Sequence, residues 1–166
     1  QQVSSAASDV YKRQYLQTPL TFDRKTVQQM LMESEIGLAG ERTAIGNAIG
    51  LGVKRLKGLK ESERVLILLT DGANTAGDIS PKQAARLAKQ AGVKIYTIGV
   101  GADEMLVQTF FGTRRVNPSR DLDEKLLQTI ASLTSGQYFR ARSTEELAKI
   151  YHCLLYTSPS PRDTRE

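Results

Sequence analysis

Two oxygen-bearing side chains stand where a buried strand and a helix meet loops, and together they could bind a metal ion. Asp71 follows RVLILLT, residues 64–70, in which apolar residues run unbroken from Val65 to Leu69. Thr43 stands where a helix is predicted to begin, in the stretch ERTAIGNAIG. Hydroxyl and carboxylate oxygens are hard ligands that suit magnesium, manganese or calcium. Thr43 and Asp71 could therefore contribute ligands to a metal site, which is one of several roles open to them.

Each of these residues also has a purely structural explanation. Thr43 could be the N-cap of the helix that follows it. Asp71 with Gly72 could form only a turn. Asn74 and Asp78, in the same turn-rich segment, could line the site or only organise the loop. These alternatives stay open at this point.

Composition narrows the chemistry that the chain can perform. It has 23 basic and 18 acidic residues, a formal net charge of +5, and its charges are interspersed. No basic run with interleaved aromatic residues appears, so nucleic-acid binding is not supported. The single histidine and single cysteine, His152 and Cys153, cannot build a zinc site or a disulfide. No nucleophile with a matching base appears, so no catalytic residue is assigned.

An enzyme that handles nucleotides or phosphates is the alternative from a different class. The segment TIGVG, residues 97–101, contains Gly99 and Gly101, but Glu104 stands where a dinucleotide-binding loop has its third glycine. No P-loop lies between a predicted strand and helix. A scaffold domain without a metal ion is the third hypothesis.

The spacing of apolar residues predicts alternating strands and helices. An unbroken apolar run such as Val65 to Leu69 is typical of a parallel strand covered on both faces. The carboxyl ends of such strands are where open α/β sheets bind ligands. We expect an α/β fold with a doubly wound, mostly parallel sheet. The predicted strands are 15–20, 64–70, 93–101 and QYFRA, and the predicted helices are 23–32, 44–59, 81–91, 121–133 and one that begins after the capping box Ser143-x-x-Glu146.

The segment from Ala102 to Arg120 is predicted to be a long irregular loop. It contains Phe110, Phe111 and the turn signal Asn117-Pro118. The two phenylalanines could contact a partner. Apolar packing that staples the long loop to the domain is the favoured interpretation.

The two ends of the chain differ in character from the middle. The codons GAT GTG TAT AAG AGA CAG encode DVYKRQ, residues 9–14, and their reverse complement, read one base out of frame, encodes CLLYTS, residues 153–158. This inverted repeat resembles the transposase end sequence used to prepare sequencing libraries. We therefore expect residues 1–14 and 153–166 to be tails that pack little against a domain of residues 15–152.

Several motifs together resemble one family. TPLTFD, TAIGNAI, LILLTDGANTAG, KIYTIGVG and SGQYFRARSTEELAKIY are similar to the von Willebrand factor A (vWA) domain of the bacterial Bat, or aerotolerance-operon, proteins. In that family a metal ion-dependent adhesion site (MIDAS) takes ligands from a DxSxS motif, a threonine and an aspartate. Thr43 and Asp71 match the threonine and the aspartate. The DxSxS motif appears nowhere in these 166 residues, and Arg42 stands where the family usually has glycine.

The resemblance implies a function and a setting. It implies a metal-dependent protein-interaction domain whose ion, Mg²⁺ or Mn²⁺ rather than Ca²⁺, accepts a carboxylate from a protein partner. It also implies a parent protein at the bacterial inner membrane, with a MoxR-type AAA ATPase and other Bat proteins as partners. The chain itself has no apolar run of the ~18 residues that a membrane helix needs.

The resemblance also implies that the domain is incomplete. The resembled fold orders its six strands 3-2-1-4-5-6, and its first strand carries DxSxS. The strand at Tyr15 to Leu20 matches the third, so we expect the first two to be missing and Val65 to Leu69 to lie at an apolar sheet edge. We accordingly expect poor solubility from this chain and metal binding that is weak or absent.

Overall fold

The computed structural model describes residues 3–7, 15–21, 25, 29, 43–58, 64–102, 105–110, 112–117 and 120–156. The following elements lie in these residues. The strands are β1 (Val3–Ala7), β2 (Tyr15–Thr21), β3 (Arg64–Thr70), β4 (Val93–Val100), β5 (Met105–Thr109), β6 (Gly112–Val116) and β7 (Tyr138–Ala141). The helices are α1 (Ile45–Leu56), α2 (Pro81–Gln90), α3 (Glu124–Leu133) and α4 (Thr144–Tyr156).

A parallel sheet of three strands, in the order β3-β4-β7, is the framework of the fold. Strand β3 pairs with β4 without a register shift, from Arg64 opposite Val93 to Thr70 opposite Gly99. Strand β7 pairs with the second half of β4. Helices lie between successive strands of this sheet, so the predicted α/β class with a parallel sheet and flanking helices is confirmed.

The core lies between β4 and the helices α1, α2 and α3. Ile49, Ile95 and Ile130 are completely buried there, together with the small residues of α2. Glycine allows α1 to approach the sheet, because a Cβ at Gly52 would lie 2.9 Å from Leu66 Cδ1. The glycine at this position therefore serves close packing of the helix on the sheet.

Side-chain capping defines the first turn of three helices, and local sequence signals predict two of these caps. The Ser80 hydroxyl accepts a hydrogen bond from the Gln83 amide at 3.3 Å, and Pro81 opens α2, as the Ser-Pro pair predicts. The Ser143 hydroxyl accepts a bond from the Glu146 amide at 3.2 Å, which confirms that half of the predicted capping box. Helix α3 begins at Glu124 rather than at residue 121 or 122, because the Asp123 carboxylate caps the Leu126 amide.

Strand β3 is less enclosed than its apolar sequence predicts. Among the described strands it pairs with β4 alone and so lies at the edge of its sheet. Its residues from Arg64 to Leu68 are half-buried, and Leu69 is 46% exposed. The expectation of cover on both faces is therefore wrong, whereas the expected apolar sheet edge is observed.

The predicted irregular loop at residues 102–120 is also wrong. The segment contains an antiparallel hairpin in which β5 pairs with β6 from Met105 opposite Val116 to Thr109 opposite Gly112. Gly112 has a φ of +122°, which glycine adopts without strain, and it lets the chain reverse directly after Phe110 and Phe111.

The N-terminal segment adopts a strand that the sequence analysis did not predict. Strand β1 pairs in antiparallel fashion with β2, from Val3 opposite Thr21 to Ala7 opposite Tyr15. This pairing runs against the expectation that residues 1–14 pack little with the rest of the chain. At the other end α4 continues to Tyr156. The proposed boundaries at residues 15 and 152 stay predictions.

Some predictions fall on residues outside the described ranges. Of the helix predicted over residues 23–32, Lys25 and Gln29 are described, and both are helical. Arg42, Phe111 and Pro118 lie outside the description. None of the helices in the described residues combines the length and the apolarity that crossing a bilayer needs.

Candidate functional site

Asp71 occupies the first position after β3, at the carboxyl end of the parallel sheet. Its side chain is exposed, whereas the preceding Thr70 is buried. The Thr70 hydroxyl accepts a hydrogen bond from the Gly72 amide at 3.3 Å and contacts the Gly72 carbonyl oxygen at 3.2 Å. These contacts fold the chain tightly around Asp71 and leave its carboxylate facing solvent.

Thr43 is tied to the loop that follows Asp71. The Thr43 amide donates to the Thr75 hydroxyl at 3.1 Å. In return the Thr43 carbonyl accepts bonds from the amides of Thr75 and Ala76, at 2.9 and 3.2 Å. Three hydrogen bonds therefore join two segments about thirty residues apart in the sequence, and they place Thr43 beside the loop after β3.

The Thr43 hydroxyl lies close to the turn that carries Asp71. A Cβ built on Gly72 would meet Thr43 Oγ1 at 3.8 Å, an ordinary van der Waals contact. Because Gly72 is the neighbour of Asp71, the predicted hydroxyl and carboxylate share one edge of the fold. Their joint binding of an ion stays a prediction.

Asn74 caps helix α1 from the neighbouring loop. The N-cap residue of α1 is Ala44, whose side chain makes no capping hydrogen bond. The Ile45 amide donates instead to Asn74 Oδ1 at 2.8 Å. The alternative in which Thr43 is the N-cap is therefore wrong, and Asn74 organises the loop, one of the two roles that the sequence left open.

Asp78 belongs to a second contact between the same segments. Asn47 Oδ1 accepts bonds from the amides of Asp78 and Ile79, at 3.0 and 3.3 Å. Gly77 precedes them with a φ of +120°. The Asp78 side chain is exposed, and the residue lines a shallow pocket of about 270 Å³ together with Gly50 and other residues of α1. Sequence reasoning missed Asn47, although a polar residue inside an apolar helical pattern was a signal for it.

The donors present suit a hard cation but form a sparse set. Thr43 offers a neutral hydroxyl and Asp71 a single negative charge. Within the described residues, no group of three or more His, Cys, Asp and Glu side chains could hold a metal ion. A magnesium ion here would therefore keep most of its coordination for water or an outside ligand.

The glycines at the end of β4 serve packing. A Cβ at Gly99 would lie 2.8 Å from Leu122 Cδ2 and 3.0 Å from the Tyr138 hydroxyl oxygen. The Gly101 amide donates to the Ala141 carbonyl at 3.0 Å. Side chains therefore occupy the space above Gly99, where a phosphate-binding loop would expose its backbone. This geometry gives no support to the nucleotide-binding alternative.

Comparison with known proteins shows which family shares this arrangement. The family model for the von Willebrand factor type A domain matches residues 3–152. A crystal structure of an uncharacterized membrane-spanning protein from Vibrio fischeri is 49% identical, with a TM-score of 0.58, over 95% of this chain and 76% of that one. A UPF0353 protein from Nocardia farcinica is 30% identical over 84% of this chain and 46% of its own length.

Two further solved structures share the fold, and one of them contains a bound metal ion. BatB from Bacteroides thetaiotaomicron, at 24% identity and a TM-score of 0.64 over 90% of this chain and 79% of that one, shares the fold. The mussel byssus proximal thread matrix protein 1, at 26% identity and a TM-score of 0.63, was solved with a zinc-occupied MIDAS motif, and the match covers 90% of this chain and 32% of that one. The chain spans less than half the length of the Nocardia relative and a quarter of one from Borreliella burgdorferi.

Proposed function

Because this chain belongs to the von Willebrand factor type A domain family, we propose that Thr43 and Asp71 hold a divalent metal ion through which the domain recognises a partner protein. Domains of this family mediate protein–protein interactions and typically depend on a metal ion. The proposal assigns the chain a role in binding rather than in catalysis. The partner contributes a carboxylate as a ligand of the ion.

The hydrogen bonds between Thr43 and the loop at Thr75 and Ala76 are the observation that carries this proposal. They hold a hydroxyl next to the turn of an exposed carboxylate at the carboxyl end of the sheet, where α/β folds bind ligands. A threonine that served only to start α1 would cap the helix with its side chain, and Asn74 does that instead.

The charge balance favours recognition of an anion. A divalent ion held by a neutral hydroxyl and one carboxylate keeps a net positive charge, so an incoming carboxylate gains electrostatic energy as well as a coordination bond. Mg²⁺ and Mn²⁺ fit better than Ca²⁺, since Mg²⁺ is commonly bound through one or two carboxylates and several waters. The ion supplies a Lewis-acidic contact point, and the protein residues hold it in place.

The relatives support a proposal about the setting of the parent protein. One solved neighbour is described as membrane-spanning, and others as BatB and an aerotolerance-related membrane protein. We propose that the chain belongs to a Bat-like protein at the bacterial inner membrane, with a MoxR-type AAA ATPase and other Bat proteins as partners.

A metal-free scaffold is the second candidate. It is favoured by the absence, within the described residues, of a three-residue cluster of acidic, His or Cys side chains. A DxSxS motif does not occur in the 166 residues, so we expect the chain to bind Mn²⁺ with a dissociation constant on the order of 10⁻³ M or weaker.

Loss of the electron paramagnetic resonance signal of free Mn²⁺ separates the two candidates. Titration of the chain into Mn²⁺ should reduce that signal, and excess Mg²⁺ should restore it. Asp71→Asn should abolish the reduction. Asp78→Asn, which neutralises another exposed carboxylate of the same loop, is the matched control and should preserve it. Equal loss in both variants, or no reduction with the unmodified chain, would favour the scaffold.

A further inference from the structure

The hairpin of β5 and β6 exposes apolar side chains that the proposed metal site does not use. Phe110, at its tip, is fully exposed, Leu106 is 70% exposed, and Val107 is 42% exposed. The interpretation of Phe110 as a staple that packs the loop onto the domain is therefore wrong. Exposed large apolar residues grouped on one element are typical of an interaction surface.

Both faces of the hairpin are open to solvent. Residues directly opposite each other in an antiparallel pair lie on the same face, and successive residues alternate between faces. Leu106 lies opposite Arg115, and Val107 opposite Arg114, so each face carries one apolar residue beside one arginine. All four residues are exposed.

The hairpin also has little support from the rest of the sheet structure. Among the described strands, β5 and β6 pair only with each other. An isolated two-stranded ribbon is at best marginally stable in water and becomes stable when another surface packs against it. A partner that covers one face and pairs with one open edge would supply that surface.

The charge of the hairpin specifies the chemistry of the partner. From Met105 to Asn117 the sequence contains two arginines and no acidic residue. Arginine binds carboxylates through paired hydrogen bonds, and the cost of desolvating it is offset when an acid lies opposite. An acidic segment with apolar residues that pack against Phe110 is complementary to this pattern. A second copy of the hairpin is not, because it carries the same positive charge.

A protein surface fits the hairpin better than an anionic membrane does. Gln108 and Thr113 lie between the tip and the level of Leu106, so insertion deep enough to bury Leu106 would bury these polar groups as well. The open edges of both strands would also enter the hydrocarbon region, where nothing satisfies their backbone groups. A protein can satisfy those groups by adding a strand.

We propose that the β5–β6 hairpin is a docking arm for an acidic protein segment, with Phe110 as the apolar anchor and Arg114 and Arg115 as the charged contacts. Binding through the arm requires no metal ion. It is therefore a second contact surface, independent of Thr43 and Asp71.

A random peptide library displayed on phage tests this proposal when it is selected against the 166-residue chain in the presence of EDTA. Enriched peptides should combine acidic with apolar residues. The affinity of an enriched synthetic peptide, measured by fluorescence anisotropy, should fall about tenfold or more for Phe110→Ser and for Arg114→Glu with Arg115→Glu. All substituted side chains are exposed, and circular dichroism checks that the variants fold.

Two variants on α2 are the matched controls. Leu87→Ser removes an apolar side chain that is 48% exposed, and Lys89→Glu reverses an exposed charge. Both should leave the affinity within about twofold. Failure to enrich any peptide whose binding depends on Phe110 overturns the proposal. So does enrichment of uncharged or basic peptides, or Phe110-dependent binding to phosphatidylglycerol vesicles that matches or exceeds binding to the peptide. Because EDTA removes the metal ion, none of these outcomes bears on the proposed function.

Discussion

Strands β3 and β4 have similar apolar sequences but very different surroundings. Strand β4 lies between β3 and β7, and Val93, Ile95 and Ile98 are almost completely buried. Strand β3 has one described neighbour, four of its five apolar residues are only partly buried, and Leu69 is 46% exposed. Burial is therefore decided by what packs beside and above a strand, and an apolar run identifies the strand without fixing how deeply it is buried.

The difference has a consequence for the site. Asp71 follows β3, the open strand, and Thr43 precedes α1, which packs on the core through Ile45 and Ile49. The hydrogen bonds between Thr43 and the loop of Thr75 and Ala76 thus connect the well-packed part of the domain with the less enclosed part. Four measurements test these differences between the two regions.

Substitution by lysine should show the difference between the surroundings of the two strands most clearly. Ile98 is completely buried in β4, so Ile98→Lys should destabilise the fold by more than about 4 kcal/mol and leave it unfolded. Leu69→Lys, on the exposed part of β3, should leave the far-ultraviolet circular dichroism spectrum unchanged. It should also reduce self-association, measured by sedimentation velocity, because lysine on an edge strand opposes pairing between chains. Equal unfolding by both substitutions would show that β3 is enclosed.

Truncation of a side chain should give the same ranking on a smaller scale. Ile95→Ala opens a cavity in the core and should lower the free energy of unfolding by about 2–5 kcal/mol. Leu69→Ala should lower it by less than about 1 kcal/mol, because much of that side chain already contacts water. Urea denaturation followed by fluorescence or circular dichroism measures both values. Similar costs at the two positions would contradict the contrast between the strands.

A single buried hydroxyl should have a smaller effect again. The Ile95 amide of β4 donates to Thr134 Oγ1 at 3.0 Å, and the hydroxyl lies 3.1 Å from the Ile130 carbonyl oxygen. Thr134→Val removes the acceptor of the buried Ile95 amide and should lower the free energy of unfolding by about 1–3 kcal/mol. The control Thr129→Val removes a hydroxyl that donates to the Lys125 carbonyl oxygen within helix α3. It should change the free energy of unfolding by no more than about 0.5 kcal/mol. If the two variants are equally stable, the tie between α3 and β4 is not a source of stability.

Local rules predicted those features that depend on a few neighbouring residues. The Ser80-Pro81 helix start, the strand at Val93–Val100 and the end of α2 at Gly92 all follow from side-chain size, capping and backbone freedom. The sheet edge at β3 followed from the resemblance to a known fold, which supplies the order of the strands.

Features that depend on distant contacts could not be predicted in this way. The hairpin of β5 and β6 was missed because Phe110, at its tip, is not a typical turn former. The cap of α1 comes from Asn74, about thirty residues away, and a sequence pattern does not show such a partner. For the site, the sequence identified Thr43 and Asp71, whereas the hydrogen bonds that bring their segments together required the fold.

Paramagnetic broadening of backbone amide signals by Mn²⁺, measured by nuclear magnetic resonance, tests the proposed metal site at Thr43 and Asp71 most directly. The method locates an ion even when it binds weakly. Broadening should centre on Thr43 and on Gly72, reach Asn74 and Thr75, disappear in Asp71→Asn, and be reversed by excess Mg²⁺. Broadening that centres instead on the exposed acids Asp121 and Asp123, or that survives Asp71→Asn unchanged, would contradict a metal site formed by Thr43 and Asp71.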